Sequence, residues 1–307
     1  MKTGTTMTDE MKNTTNTTIS ATRRALVSGA ALGAAALALN PGVKATAQNG
    51  KKLGGEFENK VVLITGATSG IGKATAKAFA MEGATVAFCG RRENLGKSVQ
   101  KEIRDTGGRA SYSKVDVRDR KALKHFIDDT AKQYGRIDIA YNNAGIAIPT
   151  TPIEEVDDKQ FDDIMATNIS GPFWSMAYEL KHMKPAGKGV IINTSSVFGP
   201  HAADNQAAYG ATRSAVNAMI EAVAKEAGPK GVRVVGIAPG AVPDTDLFRF
   251  MGRDWNADEK AYMASLAGLG RVGKPEDIAH MVLALASEKA SFVHGTTLPV
   301  DGQFLNA

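Results

Sequence analysis

The sequence predicts a single α/β domain, a doubly wound, Rossmann-type parallel sheet of about seven strands with helices on both faces. Short β-branched runs alternate with amphipathic segments of helical period from Lys60 onwards. Neither an internal repeat nor a linker interrupts this alternation. A succession of strand, helix and strand favours right-handed parallel crossovers, which generate this architecture.

Strands are predicted where apolar, mostly β-branched runs stand between turn residues. In chain order they are Val61–Thr65, Thr85–Cys89, Ala110–Val115, Ile137–Tyr141, Gly189–Ser195, Val232–Ile237 and Thr296–Val300. Helices are predicted where apolar residues recur at intervals of three and four, and glycines end the first two. In chain order they are Ile71–Met81, Arg92–Thr106, Lys121–Tyr134, Asp157–Met183, Tyr209–Ala227 and Pro275–Ala286.

The first 47 residues predict a leader rather than a part of the fold. Arg23 and Arg24 precede an apolar run that ends near Leu39, and the small residues Ala45-Thr46-Ala47 follow. This order is typical of a signal peptide, and paired arginines are typical of its twin-arginine type. We therefore predict a leader over residues 1–47, a domain over residues 48–307 and export to the periplasm. The alternative is an N-terminal helix of the domain, with the protein in the cytoplasm.

The composition excludes several classes of function. Of 37 basic and 32 acidic residues, five and two lie in the predicted leader, so the rest of the chain is nearly balanced in charge. No basic run or stripe predicts nucleic-acid binding, and the apolar run of the leader is too short to span a membrane. The single cysteine, Cys89, excludes an intrachain disulfide, and five scattered histidines predict no metal site.

A glycine-rich turn joins the first strand to the first helix. It reads Thr65-Gly66-Ala67-Thr68-Ser69-Gly70-Ile71-Gly72. Glycine lets the backbone approach a diphosphate, and the start of a helix presents free N–H groups. A ligand-free βα turn is the alternative, but the place of the turn after the first strand favours nucleotide binding. The residues expected to contact the nucleotide are Gly66, Thr68, Ser69, Gly70, Ile71 and Gly72.

Further motifs follow the later strands in a fixed order. They are Asn142-Asn143-Ala144-Gly145, Asn168 in the long helix, Asn193-Thr194-Ser195-Ser196, Tyr209, Pro239-Gly240, and Arg271-Val272-Gly273-Lys274-Pro275-Glu276. With the glycine turn, this set resembles the short-chain dehydrogenase/reductase family over residues 57–307. The resemblance implies a nicotinamide-dependent oxidoreductase acting on a small-molecule alcohol or carbonyl substrate. It also implies a homotetramer or homodimer that associates through the long fourth and fifth helices.

The second strand ends in Gly90-Arg91-Arg92, which bears on the choice of cofactor. A carboxylate at this point suits the ribose hydroxyls of NAD(H), whereas arginine suits the 2′-phosphate of NADP(H). Arg91 and Arg92 therefore predict NADP(H). NAD(H) is the alternative, with both arginines as solvated residues at the start of a helix. Ser69 stands where many NADP-binding relatives carry a basic residue.

The resemblance also assigns the remaining cofactor contacts. Asp116 and Val117 would contact adenine, although a helix cap is the alternative for Asp116. The nicotinamide half would lie against Asn143, Ala144, Gly145, Pro239, Gly240, Val242 and Thr245. Thr245 stands one position later than the threonine of the family, so its contact is an open question.

The resemblance implies a catalytic group of Ser196, Tyr209, Asn168 and the residue four positions after the tyrosine. Ser196 would polarise the substrate oxygen and Tyr209 would transfer its proton. The family pattern is YxxxK, but this chain has Arg213 in place of the lysine. Arginine keeps the positive charge that favours an ionised tyrosine, and it can still bind ribose hydroxyls. It cannot release a proton, so we expect the family's proton relay through Asn168 to be altered.

Arg213 also supports an alternative from another functional class. A non-catalytic NADP(H)-binding sensor or interaction protein could have kept the nucleotide site and lost turnover. Residues 244–270 are predicted to form a substrate lid. Its apolar members are Leu247, Phe248, Phe250, Met251, Trp255, Tyr262 and Met263, and the alternative is that half of them pack the lid onto the body or onto a partner subunit.

Overall fold

The computed structural model describes residues 55–201, 203–247 and 256–304. The predicted leader, residues 1–47, lies outside the described residues, and so do Phe248, Phe250, Met251 and Trp255 of the predicted lid. Within the part of the chain that is described, no helix is both long and apolar enough to span a membrane.

Seven parallel strands form one sheet in the order β3-β2-β1-β4-β5-β6-β7. The first strand, β1, lies inside the sheet. Strands β2 and β3 extend the sheet on one side of β1, and strands β4 to β7 extend it on the other side. The strands are β1 Val61–Thr65, β2 Thr85–Gly90, β3 Arg109–Lys114, β4 Ile139–Asn142, β5 Gly189–Thr194, β6 Val232–Pro239 and β7 Thr297–Val300. The predicted fold class is confirmed.

The connections between the strands are helical. The helices are α1 Gly70–Met81, α2 Glu93–Asp105, α3 Arg120–Tyr134, α4 Asp158–Met165, α5 Gly171–Ala186, α6 Ala207–Ala227, α7 Ala257–Ser265 and α8 Pro275–Ala286. Asp119 caps α3 by accepting the backbone N–H groups of Lys121 and Ala122, as expected for a carboxylate at a helix start. The alternative role of Asp116 as this cap is therefore wrong.

Each face of the sheet carries its own apolar core. On one face, α1, α2 and α8 pack through residues such as Phe79, Ile103 and Val282. On the other face, α3, α5 and α6 pack through residues such as Leu123, Met183 and Ile220. Because both faces are covered, the strands are buried, and every residue of β1 lies out of solvent.

The predicted single helix over Asp157–Met183 is wrong in its middle, because a π-helical turn over Ala166–Ser170 separates α4 from α5. The side chain of Asn168 lies in this turn. Its amide nitrogen donates to the carbonyl oxygen of Ile146 at 2.8 Å, and its oxygen accepts the N–H of Ile146 at 2.9 Å. A π-turn inserts one extra residue into a helix and is frequent at functional sites. Here it turns Asn168 towards the segment after β4.

A buried carboxyl group lies between α5 and the ends of two central strands. Glu179 is fully buried, and the side-chain amide of Asn142 donates to its Oε2 at 3.1 Å. The same amide donates to Oδ1 of Asn193 at 3.1 Å, which joins the end of β4 to the end of β5. Burial raises the pKa of Glu179 to about 8, although the hydrogen bond from Asn142 opposes the shift. The carboxyl group is therefore neutral in the folded protein at neutral pH.

We expect Glu179→Gln to remove a pH-dependent loss of stability. In the unfolded chain Glu179 ionises near its ordinary pKa of 4.5, whereas in the folded chain it ionises near 8. The wild type should therefore lose stability relative to the variant as the pH rises through this interval, by up to about 4 kcal/mol. Urea unfolding at pH 5 and pH 8 measures the difference. Glu221→Gln, at an exposed position of α6, is the control, and a difference independent of pH would contradict the prediction.

Candidate active site

A cleft opens at the carboxyl ends of the strands, where the strand order reverses between β1 and β4. Ligands bind at this place in doubly wound sheets. Nearly all of the residues predicted as site residues line the cleft: Gly66, Thr68, Ser69, Gly70, Ile71, Arg91, Arg92, Asp116, Val117, Asn143, Ala144, Gly145, Ser196, Tyr209, Arg213, Pro239, Gly240, Val242 and Thr245. Gly72 and Asn168 do not line it and support its wall from behind.

The glycine turn has the shape that a diphosphate requires. Gly66 and Gly70 have positive φ angles of 71° and 53°, a backbone region that favours glycine. A Cβ atom on Gly72 would lie 2.5 Å from the carbonyl oxygen of Gly66, so only glycine fits there. Ser69 precedes α1, no side chain caps the N–H groups of the first turn, and no acidic residue stands in that turn. The backbone therefore offers N–H donors to an anion, which fits the diphosphate of a dinucleotide.

The segment after β4 is held tightly against this turn. The side-chain amide of Asn143 donates to the carbonyl oxygen of Gly66 at 3.0 Å, and the N–H of Ala144 donates to Oγ1 of Thr65 at 3.2 Å. A Cβ atom on Gly66 would lie 2.7 Å from Cα of Ala144. The two motifs therefore form one wall of the cleft.

Tyr209, in α6, and Ser196, after the end of β5, both line the inner part of the cleft. Both are almost fully buried, and each retains a small surface in the cleft. The Oγ atom of Ser196 accepts the N–H of Phe198 at 3.2 Å, so its hydroxyl hydrogen can be donated to a ligand. In α6, Thr212 donates to the carbonyl oxygen of Tyr209 at 2.7 Å and accepts from the amide of Asn168 at 3.2 Å. Asn168 thus links the π-turn to the helix that carries Tyr209.

Arg213 lies one helical turn after Tyr209 and is only 3% exposed. Its Cζ atom is 5.0 Å from the centroid of the Tyr209 ring, and its Nη1 donates to the carbonyl oxygen of Thr194 at 3.0 Å. A Cβ atom on Gly145 would lie 2.6 Å from Nη2 of Arg213, so the absent side chain makes room for the guanidinium.

The buried guanidinium of Arg213 is only partly satisfied by the described residues. Its Nε atom has no hydrogen-bond partner among them, and no ion pair joins it to a described carboxylate. An unpaired buried charge is costly, so this group is suited to hold polar groups of a bound ligand. Both the position and the orphaned donor fit the hydroxyl groups of a nicotinamide ribose.

Arg92 reaches over the glycine turn from the end of β2. Its Nη2 atom donates to Oγ1 of Thr68 at 2.9 Å and to Oγ of Ser69 at 2.6 Å. Its Nη1 atom forms an ion pair with Asp246, from the loop after β6. Arg91 also lines the cleft but makes no side-chain hydrogen bond or ion pair with the described residues. The outer end of the cleft is therefore rich in donors for an anion.

Asp116 lies beside this region, after β3. Its carboxylate accepts the N–H of Arg118 at 3.0 Å and pairs with the guanidinium of the same residue at 2.7 Å. Partial burial opposes ionisation, but the hydrogen bonds from Arg118 prevail and lower the pKa of Asp116. Asp116 and Val117 therefore form a fixed, charged edge of the cleft, at the place predicted for adenine.

The opposite end of the cleft is apolar. Its apolar members include Ile146, Ala147, Phe198 and Leu247, which belong to one cluster, and Met263 and Phe304 also line the cleft. Leu247 packs against the cluster that contains Tyr209. Of the described lid residues, Leu247 and Met263 therefore line the cleft, whereas Tyr262 is exposed and is not part of its wall.

Sequence reasoning missed three features of the site. Thr194 anchors Arg213 through a backbone oxygen, which no residue type reveals. Glu179 braces the strand ends from behind, and only its place among apolar residues of a helix could have indicated burial. Asp246 pairs with Arg92 across 154 positions of sequence, and an acidic residue in a loop carries no signal for such a partner.

Comparison with known proteins agrees with this geometry. A family model described as Enoyl-(Acyl carrier protein) reductase matches residues 66–304. Over 252 residues the chain is 35% identical to cis-4-hydroxycyclohexanecarboxylate dehydrogenase of Sinomonas cyclohexanicum, and the match covers 82% of this chain and 99% of that protein. It is 34% identical over 254 residues to cyclohexanol dehydrogenase of Acinetobacter sp. (strain SE19), with 83% and 98% covered.

A solved structure shows the same likeness in three dimensions. Levodione reductase superposes with a TM-score of 0.76 at 31% identity, and the match covers 80% of this chain and 97% of that one. The family model and these relatives span the glycine turn, the strand-end motifs and the helix of Tyr209. The chain therefore belongs to the short-chain dehydrogenase/reductase family.

Proposed function

We propose that this oxidoreductase uses NADP(H) to interconvert an alcohol and a carbonyl compound, with Ser196, Tyr209 and Arg213 as its catalytic residues. The observation that carries the proposal is that these three side chains meet in the same cleft as the glycine turn. The relatives described above are named as dehydrogenases and reductases, and they give no support to the alternative of a non-catalytic sensor.

When bound, the nicotinamide supplies or accepts the hydride. In the direction of reduction, the Tyr209 phenol donates a proton to the substrate oxygen, and the hydroxyl of Ser196 donates a hydrogen bond to the same oxygen. In the direction of oxidation, Tyr209 takes the proton back. Because Phe198 already donates to Ser196, the serine oxygen is oriented with its hydrogen free for the substrate.

Arg213 contributes charge and position. Its guanidinium carbon lies 5.0 Å from the centroid of the Tyr209 ring, which places a positive charge beside the group that transfers the proton. Its free donors would hold the ribose beside the ring. Since guanidinium does not release a proton, Tyr209 exchanges its proton with solvent by a path that does not run through Arg213. Asn168 is a positioning residue, because its side-chain amide is fully used by Ile146 and Thr212.

The cofactor preference is supported by the donors at the outer end of the cleft. Arg92 and Ser69 converge on one point, Arg91 lies beside them, and β2 ends without a carboxylate. A 2′-phosphate offers several oxygens to such donors, whereas a 2′-hydroxyl of NAD(H) offers one neutral oxygen. This arrangement supports NADP(H) over NAD(H).

The substrate is proposed to be a cyclic secondary alcohol or the corresponding ketone. The inner end of the cleft is lined by Ile146, Phe198, Leu247 and Met263, which suit a compact apolar ring. Two relatives are named for dehydrogenation of cyclohexane derivatives that carry a hydroxyl group. Cyclohexanol and cyclohexanone are therefore the first substrates to assay.

The active protein is proposed to be a homotetramer or homodimer that associates through α4, α5 and α6. Phe161 of α4 and Phe173 of α5 are exposed large apolar residues on these helices. Trp174, which is half-buried, packs edge-on against Phe173 at 5.0 Å between ring centroids, so these two aromatic side chains of α5 lie together at the surface. Exposed aromatic clusters of this kind are typical of subunit interfaces.

The protein is also proposed to be exported with its nicotinamide cofactor already bound. Nicotinamide nucleotides are made in the cytoplasm, and the twin-arginine route carries folded proteins. A domain that folds around its cofactor could therefore keep it after export, which requires tight retention.

We expect Arg213→Ala to lower kcat with cyclohexanol at least 100-fold, because the charge beside Tyr209 is lost. Arg213→Lys keeps a charge and should stay within about tenfold of the wild type. Steady-state kinetics with NADP⁺ measure both. Arg104→Ala is the matched control, since Arg104 also donates to a backbone carbonyl, that of Ala110 at 2.9 Å, but lies outside the cleft. An unchanged kcat in Arg213→Ala would refute the assigned role.

We expect Arg92→Ala to weaken NADPH binding about 10- to 100-fold, because a charge-assisted hydrogen bond to phosphate is lost. NADH binding should change less than about threefold. Fluorescence titration with both nucleotides measures the two affinities. Lys97→Ala removes an exposed charge from α2 and serves as the control. Equal losses for NADPH and NADH, or no loss for either, would contradict the proposed preference.

Replacement of the paired arginines, Arg23→Lys together with Arg24→Lys, should keep the protein in the cytoplasm. The double change conserves the charge of the leader and alters only the guanidinium groups. Cell fractionation followed by immunoblotting compares the variant with the wild type. Equal amounts in the periplasm would exclude twin-arginine export.

A further inference from the structure

The guanidinium of Arg92 already holds an anion in this structure, the carboxylate of Asp246. Nη1 of Arg92 pairs with Oδ2 of Asp246, and the hydroxyl of Ser69 donates to the same oxygen at 2.6 Å. The second guanidinium nitrogen donates to Ser69 at 2.6 Å and to Thr68 at 2.9 Å. One carboxylate oxygen therefore receives donors from both the end of β2 and the glycine turn.

The loop after β6 brings Asp246 to this point. Thr245 packs against the glycine turn. Its Cγ2 atom lies 3.2 Å from the position that a Cβ atom added to Gly70 would occupy. The Thr245 hydroxyl donates to the carbonyl oxygen of Val242 at 2.9 Å, which holds the loop in a tight turn. On the other side of Asp246, Leu247 packs against the cluster that contains Tyr209. Asp246 thus lies between a contact with the diphosphate turn and a contact with the substrate end.

We propose that Asp246 is an internal competitor for the 2′-phosphate of NADP(H), since its carboxylate occupies the donors of Arg92 and Ser69 that this phosphate would use. The inference rests on the proposed preference for NADP(H). Binding of the phosphate must break the pair between Arg92 and Asp246, and the carboxylate of Asp246 gives up this position to the phosphate. Thr245 and Leu247, the neighbours of Asp246 in the sequence, both line the cleft. A shift of Asp246 when the adenosine end is occupied would therefore also shift residues of the substrate end.

The strengths of the competing interactions favour the phosphate. A phosphate monoester carries nearly two negative charges and three free oxygens, against one charge on the carboxylate. Arg92 and Asp246 have exposed side-chain fractions of 46% and 24%, and ion pairs this open to water are weak. The neutral 2′-hydroxyl of NAD(H) has no charge with which to displace Asp246. Asp246 should therefore reduce the affinity for NADP(H) and leave that for NAD(H) unaffected.

The test compares two nucleotides that differ only by the 2′-phosphate. Adenosine 2′,5′-bisphosphate and adenosine 5′-monophosphate are titrated into the full chain by isothermal calorimetry. We expect Asp246→Asn to bind the bisphosphate about three- to tenfold more tightly than the wild type does, with the monophosphate unchanged within about twofold. Asp244→Asn is the matched control, because it makes the same change in the same loop at a carboxylate that pairs with Lys260 at 2.7 Å.

A double-variant cycle separates direct competition from a change in overall charge. In the background of Arg92→Ala, Asp246→Asn should give a smaller gain for the bisphosphate than it gives in the wild type, because the charged donor is gone and only Ser69 is still shared. An unchanged bisphosphate affinity in Asp246→Asn would overturn the inference, and so would an equal gain in Asp244→Asn.

The proposed cofactor preference fails separately from the inference. If Arg92→Ala weakens the bisphosphate but Asp246→Asn has no effect, the preference stands and the competition by Asp246 is refuted. If the wild type binds both nucleotides equally and Arg92→Ala changes neither affinity, the preference itself is refuted, and the inference falls with it.

Discussion

The parallel pairing of β1 with β4 is the constraint on which the rest of the site depends. It places Thr65 opposite Asn142, so the glycine turn and the segment after β4 leave the sheet side by side. The amide of Asn143 and the N–H of Ala144 then tie the two segments together within hydrogen-bonding distance. No side chain fits between them at Gly66. The crevice between β1 and β4 is therefore a consequence of the strand order and of the close approach of the glycine turn to the backbone after β4.

Behind this crevice, buried polar groups fix the relative positions of the strand ends and the helices through hydrogen bonds. Asn142 joins the ends of β4 and β5 through Asn193 and the neutral carboxyl of Glu179, and Asn168 joins the π-turn to Ile146 and to α6. Apolar contacts are non-directional, whereas hydrogen bonds define angles as well as distances. These bonds therefore hold the helix of Tyr209 in register with the strand of Ser196.

The arginine in the place of the family's lysine fits the structure because its surroundings provide for it. The missing side chain at Gly145 leaves room for the longer group, and the carbonyl oxygen of Thr194 directs one of its nitrogens. At the other end of the cleft, Arg92 forms an ion pair with Asp246, whereas Arg213 has no ion-pair partner among the described residues. The positive charge of Arg92 is thus compensated by a carboxylate of the protein, whereas that of Arg213 is left for a ligand to compensate. The two ends are connected through the loop that carries Thr245, Asp246 and Leu247.

Periodicity predicted the fold class and the seven strands, and the order of motifs predicted many of the residues that line the cleft, but not apolar members such as Ile146 and Phe198. Local signals of this kind depend on residues close in sequence, and even the missed helix α7 carries one, the capping pair of Asn256 and Glu259. The π-turn at Asn168, the burial of Glu179 and the pair of Arg92 with Asp246 left no such trace. Each depends on a partner that tertiary packing brings from a distant part of the chain, where only the three-dimensional structure decides which groups meet.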